Sequence, residues 1–330
     1  MSVSFRSNGV FLIIAALNSL LCSTFFGEIG AAFGFITTLF SHTIYEARDK
    51  EGNIFYIWCL LVMVMLGAGL GFVLKLSAGF YLYLFVISCF YYLVYNNDPY
   101  IDRTIPFLII FSCLGTTLPS ISPDLPLAYL SGITLSLLCL ALLRRKHYQN
   151  DAFRNGLFAH QTYTSDKHII LRAIIYSAFL FSSLALPDYL GLYRVYWAPL
   201  TFIVLLRPKE MHILKTTCFR FTGSLLGALF IIALFKTISF RHIPVYFAIL
   251  AVVTFLLPNF LKMNYIVKTF GITVFVLLLL EETEFLHDPT YLLPFSRVYE
   301  TLIGGCIAIV ASVVLKLFRN IQGNATNLQS

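Results

Sequence analysis

A chain of 330 residues that is 58% hydrophobic and only 12% charged is no water-soluble globular domain, which would be about one quarter charged. Its net charge of +7 does not mark a nucleic-acid binder, because the basic residues flank apolar runs and leave no basic and aromatic face outside them. The seven cysteines (Cys22, Cys59, Cys89, Cys113, Cys139, Cys218, Cys306) all lie within apolar stretches and form no CxxC pair. Neither a zinc site nor a disulfide framework is indicated, and they read as small packing residues.

Apolar runs such as 169–186, 217–235 and 302–315 are continuous rather than alternating. A span of the bilayer core takes ~20 apolar residues as a helix, and in lipid every backbone group must be paired within the segment or barrel. The fold class is therefore all-α, a polytopic integral membrane protein. The start, 1–21, has one basic residue before its apolar run but no small-x-small cleavage site, and Leu21 is too large to precede a lipidated Cys22. It reads as the first span rather than a leader.

In chain order, twelve segments are expected, near 9–25, 28–41, 54–75, 77–96, 104–119 and 125–143, then 168–187, 192–206, 213–236, 240–258, 265–281 and 297–317. They divide the chain into a first six-helix unit (1–143), a polar cytoplasmic linker (144–167), a second six-helix unit (168–319) and a disordered polar tail (320–330). The order of long and short segments is the same in both units. Gly67-xxx-Gly71 in the third segment is echoed by Gly223-xxx-Gly227 in the ninth, and each pair lets another helix approach closely. Six is even, so both units enter from the same side and the repeat is parallel. With the N-terminus in the cytoplasm, Arg48, Lys50, Arg144, Arg145, Lys146, Arg207, Lys209, Lys215, Lys262, Lys268, Lys316 and Arg319 are all cytoplasmic. The acidic run 281–288 faces the other side, with Lys236 and Arg241 as the misfits to this positive-inside pattern. Both termini are then cytoplasmic, in a multi-pass protein of the cell (inner) membrane.

Two kinds of feature point to a transport site. The stretch 195–206 has about twelve apolar residues and contains Pro199, and its counterpart 29–40 is also short and carries Gly30 and Gly34. Short, Gly/Pro-interrupted segments at matching places mark binding sites in transporters, although a tilted, kinked helix gives the same pattern. The second feature is charge within the membrane, which is costly and so faces a cavity or a partner. Arg220 lies about two turns into the ninth segment, and Arg297 and Glu300 share one face of the twelfth, ahead of Gly304-Gly305. These suggest a positive site for an anion at Arg220, with Glu300 balancing it or carrying a proton. An Arg220–Glu300 or Arg297–Glu300 ion pair that only joins helices, or a snorkelling Arg220, would also fit. Aligning the GxxxG pairs puts Val64 where Arg220 stands, so charge is concentrated in the second unit; Glu28 is the first unit's one candidate. No metal-ligand spacing, phosphate loop or hydrolase motif is present, so no cofactor and no enzyme activity are expected.

The residues Tyr196-Trp197-Ala198-Pro199-Leu200-Thr201, Arg207-Pro208 and Arg220-Phe221-Thr222-Gly223-Ser224-Leu225-Leu226-Gly227-Ala228 resemble the core motif of the fusaric-acid-resistance-like family. The run Arg297-x-x-Glu300-Thr301-Leu302-Ile303-Gly304-Gly305 resembles its closing-helix motif. That family includes bacterial aromatic acid exporters and is distantly similar to plant aluminium-activated malate transporters. The match covers roughly 193–317; the first unit matches only in hydropathy and segment order. The resemblance implies an exporter or channel for organic anions, often aromatic carboxylates. It carries over Arg207, Arg220, Gly223, Gly227, Arg297 and Glu300 by motif position. Many larger members hold a sizeable cytoplasmic domain, and here only 144–167 stands in its place.

The expected function is thus a secondary, proton-coupled exporter of organic or aromatic carboxylates. The expected substrate-binding residues are Arg220, Arg207, Arg297, Tyr196 and Trp197; Glu300 and Glu28 couple protons; Gly67, Gly71, Gly223, Gly227 and Gly304 pack helices. The partners are the lipid bilayer and a small organic anion, with no nucleic acid; a homo-oligomer is compatible with this reading. The alternatives are an anion channel of the malate-channel type, or a non-transporting scaffold or lipid enzyme.

Overall fold

The computed structural model describes residues 5–47, 51–96, 98–118, 120, 122–143, 147–148, 169–192, 196–208, 213–237, 243–285 and 292–327. All twelve expected segments fall on helices. The first two form one element, α1 (Phe5–Tyr45), broken at Gly27, whose φ of 62° and ψ of −147° suit a residue without a Cβ. The two arms fold back on each other, and a Cβ on Gly30 or Gly34 would collide with the backbone of Cys22 or Ser19. There follow α2 (Ile54–Leu74), α3 (Ala78–Val94), α4 (Pro99–Thr117) and α5 (Asp124–Leu143). Then come α6 (Ile169–Tyr189), α7 (Trp197–Leu205), α8 (Ile213–Thr237), α9 (Ile243–Lys262), α10 (Tyr265–Phe285) and α11 (Leu292–Asn327). Glu51–Gly52 and His147–Tyr148 make a two-residue parallel pairing, which ties the start of the expected linker to the loop before α2. The remainder of 144–167 lies outside the described residues.

Among the described residues, seven helices are long and apolar enough to cross a membrane by length and composition, and two shorter apolar ones are Ala78–Val94 and Tyr265–Leu279. Their outer faces are apolar as well: Phe25, Leu142 and Val73 are each at least 75% exposed. In water such a belt would drive aggregation; against lipid it needs no cover. The molecule is a multi-pass α-helical membrane protein.

The glycine pairs set which helices meet. Gly67 faces Leu108 and Ser112, and Gly71 lies against the Ser112 carbonyl, so α2 packs on α4. A Cβ on Gly223 would stand 2.6 Å from the Ile266 carbonyl and one on Gly227 3.0 Å from the Thr273 side chain, so their absence lets α8 pack on α10. In each half, then, the third helical segment packs on the fifth. The second packs on the sixth: Gly132 of α5 meets Thr37 on the second arm of α1, and Gly304 of α11 meets Ala198 and Thr201 of α7. Between halves the partners are exchanged, with α3 on α6 (Tyr81 edge-on to Phe181) and α1 on α9 (Phe5 beside Phe255).

Three boundaries differ from expectation. The second arm of α1 runs to Tyr45 and is not short; only α7, with nine residues, is. Pro199 does not break α7, because it stands in the first turn, where the backbone N–H it lacks has no helical partner to lose. The acidic run starts on a helix rather than in a loop, since α10 continues to Phe285; 286–291 are outside the described residues. Likewise α11 continues to Asn327, where an unstructured tail was expected from 320.

Candidate functional site

The site is assembled on α7, the shortest helix among the described residues. The absence of a Cβ on Gly304 lets α11 come against the backbone of Ala198. One turn earlier on α11, this brings Glu300 to the N-terminus of α7. There the Trp197 N–H donates to Glu300 Oε2 at 3.2 Å, and the Ser296 hydroxyl, four residues before Glu300, donates to Oε1 at 2.7 Å. Glu300 is 0% exposed. The N-terminal N–H groups of a helix have no internal partner and carry partial positive charge, so a carboxylate there is stabilised.

Arg297 lies one turn from Glu300 and is 3% exposed. Its guanidinium carbon is 5.1 Å from the centroid of the Trp197 ring, a cation–π contact, and Trp197 stands edge-on to Tyr196. Arg297 is within electrostatic reach of Glu300, Tyr196 and Arg220. Arg220, on α8, is 5% exposed, so it is a buried cation rather than one snorkelling to water. Two buried guanidiniums, one on α8 and one on α11, thus lie within electrostatic reach of each other, with the Glu300 carboxylate one turn from Arg297 on α11. Their donors are not used up: Arg220 Nε and Arg297 Nε and Nη1 are buried without a hydrogen-bond partner. The same holds for Thr201 Oγ1, Ser224 Oγ and Thr273 Oγ1 on α7, α8 and α10. Buried polar atoms are normally satisfied, so the unpaired guanidinium nitrogens of Arg220 and Arg297 fit an anion or water that completes them.

Toward the other end of α7 the charge continues. Arg207 follows the helix and is exposed. Lys268, near the start of α10, is within electrostatic reach of Arg207, Arg220 and Arg103 of α4. Arg103 in turn donates to the Thr43 carbonyl on α1. Positive side chains thus run from the end of the bundle at Arg207 through Arg220 to Arg297.

Of the residues expected at the site, Tyr196, Trp197, Arg297, Glu300 and Arg220 are brought together. Arg207 sits apart, past the C-terminal end of α7. Glu28 lies on α1 just past Gly27, and its side chain lies outside the described residues. Ser296, Lys268, Arg103 and the orphan hydroxyls were not expected there. Ser296 was legible in principle, four residues before Glu300 on the same helical face; Arg103 carried no signal, since its partners come from distant segments.

Among the described residues, the first half has no such centre. Gly132 holds the place of Gly304, and four residues before it stands Ala128, fully buried, in place of Glu300; Val64, opposite Arg220, is also fully buried. Instead, Asn18 surrounds its amide nitrogen with five acceptors within 3.1 Å: Gly34 O, Thr37 Oγ1, Thr38 Oγ1, Gly132 O and Ser136 Oγ. That is a neutral, hydrogen-bonded seam between α1 and α5.

A bundle of apolar helices with buried arginines and an inward carboxylate defines a multi-pass membrane protein with a polar interior. Residues 178–311 match the family model described as fusaric acid resistance protein-like, and over that stretch the chain is similar to this family. The matched stretch holds Tyr196, Trp197, Arg207, Arg220, Arg297 and Glu300. No curated protein and no solved structure matches the chain.

Proposed function

We propose that the protein is a secondary exporter of organic anions, with carboxylates, aromatic ones among them, as the substrate class. The observation that carries this reading is the pair of buried guanidiniums, Arg220 and Arg297, with donors left unpaired beside Glu300. A guanidinium in a water-excluded site attracts a carboxylate strongly and can take it in a two-point grip. The Trp197 and Tyr196 rings beside Arg297 offer an apolar face to an aromatic substrate.

Coupling to protons follows from what Glu300 occupies. As a carboxylate it already takes the Trp197 N–H and lies in the field of Arg297. A substrate anion competes for those same groups. The protonation state of Glu300 and the binding of the anion are thereby linked. The transport cycle involves no chemistry on the substrate.

The twelve segments are read as two parallel six-helix repeats, which the matched packing pairs and exchanged partners between halves support. The distribution of basic residues supports cytoplasmic termini and an inner-membrane setting. The test is uptake of hydroxybenzoate into inverted vesicles under a proton gradient. Arg220→Ala should cut the rate at least tenfold; an unchanged rate would rule out this site. Bilayer recording separates the channel reading, for which current would follow the anion gradient without regard to pH.

A further inference from the structure

A second place on the molecule combines charge with an apolar channel, away from the buried arginines. Where the first turn of α8 passes the last turns of α11's span, an open groove of about 260 Å³ is lined by Ile213, Ile309, Val313, Ser312, Lys215 and Lys316, among others. Among the described residues its lining carries two lysines and no carboxylate. Both lysines are exposed, and each stands two residues inside the end of a membrane-crossing stretch, Ile213–Thr237 and Leu292–Phe318. They therefore sit at headgroup depth on the same side. Ile309 lies seven residues, about two helical turns, deeper than Lys316, so the groove runs from the interface into the hydrocarbon. Ser312 adds a hydroxyl on the way.

We propose that this groove binds one anionic phospholipid. The lysine ammonium groups hold its phosphate, and the Ile213, Ile309 and Val313 surface takes the first carbons of an acyl chain, the rest of which stays in the bilayer. The charge decides the lipid class: two cations with no counter-charge in the lining suit an anionic headgroup, and a zwitterionic one brings its own cation. The depth decides the source, because a free phosphate would use the lysines and leave the apolar floor of the groove bare. The lipid would lie on the two helices that carry Arg220 and Glu300, where Gly305 of α11 comes against Thr217 of α8, and would brace them from outside.

The test uses the full-length chain in detergent with a fluorescent phosphatidylglycerol as probe. Unlabelled phosphatidylglycerol should displace it better than phosphatidylcholine of the same chains. Lys215→Gln with Lys316→Gln should weaken binding roughly 25-fold, about fivefold per lysine, and Lys215→Arg with Lys316→Arg should retain it. Val313→Trp, which fills the groove and keeps both charges, should also abolish the preference. Equal displacement by the two lipids overturns the proposal, as does undiminished binding in Val313→Trp, which would leave only diffuse surface charge. Displacement by glycerol phosphate alone, or equally well by a fatty acid or by hydroxybenzoate, overturns it too: the first would mean a simple anion site, the others a side door for amphiphiles.

Discussion

At the scale of single residues, the site depends on what glycine leaves out. Gly304 brings α11 onto the Ala198 backbone, and only that approach lets Glu300 reach the Trp197 N–H. Gly304→Val should therefore lower the thermal midpoint of the detergent-solubilised chain, at a cost of about 1–3 kcal/mol for overpacking against backbone that cannot yield. Gly69→Ala is the internal control: no atom lies within 4 Å of its Cβ position, and the gain in helix propensity, up to about 1 kcal/mol, should hold or raise the midpoint. Glu300→Gln tests the other side of the contact. The amide oxygen still accepts from Trp197, so the fold should hold, but the group no longer takes a proton. Substrate movement should then lose its dependence on the proton gradient while exchange of anion for anion persists. A variant that stays fully gradient-driven would assign coupling elsewhere.

At the scale of elements, what was legible in the sequence was periodic or punctuated. Long apolar runs located each helix. The GxxxG pairs marked α2 and α8 as packing helices, and both meet their partners through those glycines. Boundaries were less legible. The acidic run after residue 280 looked like loop, yet the helix carries it to Phe285, since local charge does not break helical hydrogen bonding. The pairing of short segments also misled: Pro199 reads the same in sequence whether it breaks a helix or begins one. The seam around Asn18 was invisible because its acceptors come from residues up to 118 positions away. Asn18→Ala should leave Ser136, Thr37 and Thr38 short of a donor at the junction of α1 and α5. We expect a loss of about 1–3 kcal/mol of stability with little change in anion affinity. A matching loss of affinity would link the two halves energetically.

At the scale of the whole molecule, two similarly packed halves differ in what they hold. The first is neutral at its centre, with Ala128 and Val64 where the second has Glu300 and Arg220. This asymmetry was partly legible, because charged residues in apolar runs stand out. The convergence of Arg220, Arg297 and Trp197 was not, because it depends on how α7, α8 and α11 cross. The loop charges predict both termini on the same side, so reporters fused to either end should both read as cytoplasmic; opposite readings would break the six-plus-six division.

The central claim is that Arg220 and Arg297 form one buried anion site. Equilibrium binding of radiolabelled hydroxybenzoate to the purified full-length chain, compared among wild type, Arg220→Gln and Arg297→Gln, tests it most directly. Losing one charge-assisted contact is worth about 1.5–3 kcal/mol, so each variant should bind about 10- to 150-fold more weakly, with the double variant no worse than the sum. Binding that survives both substitutions unchanged would contradict the account.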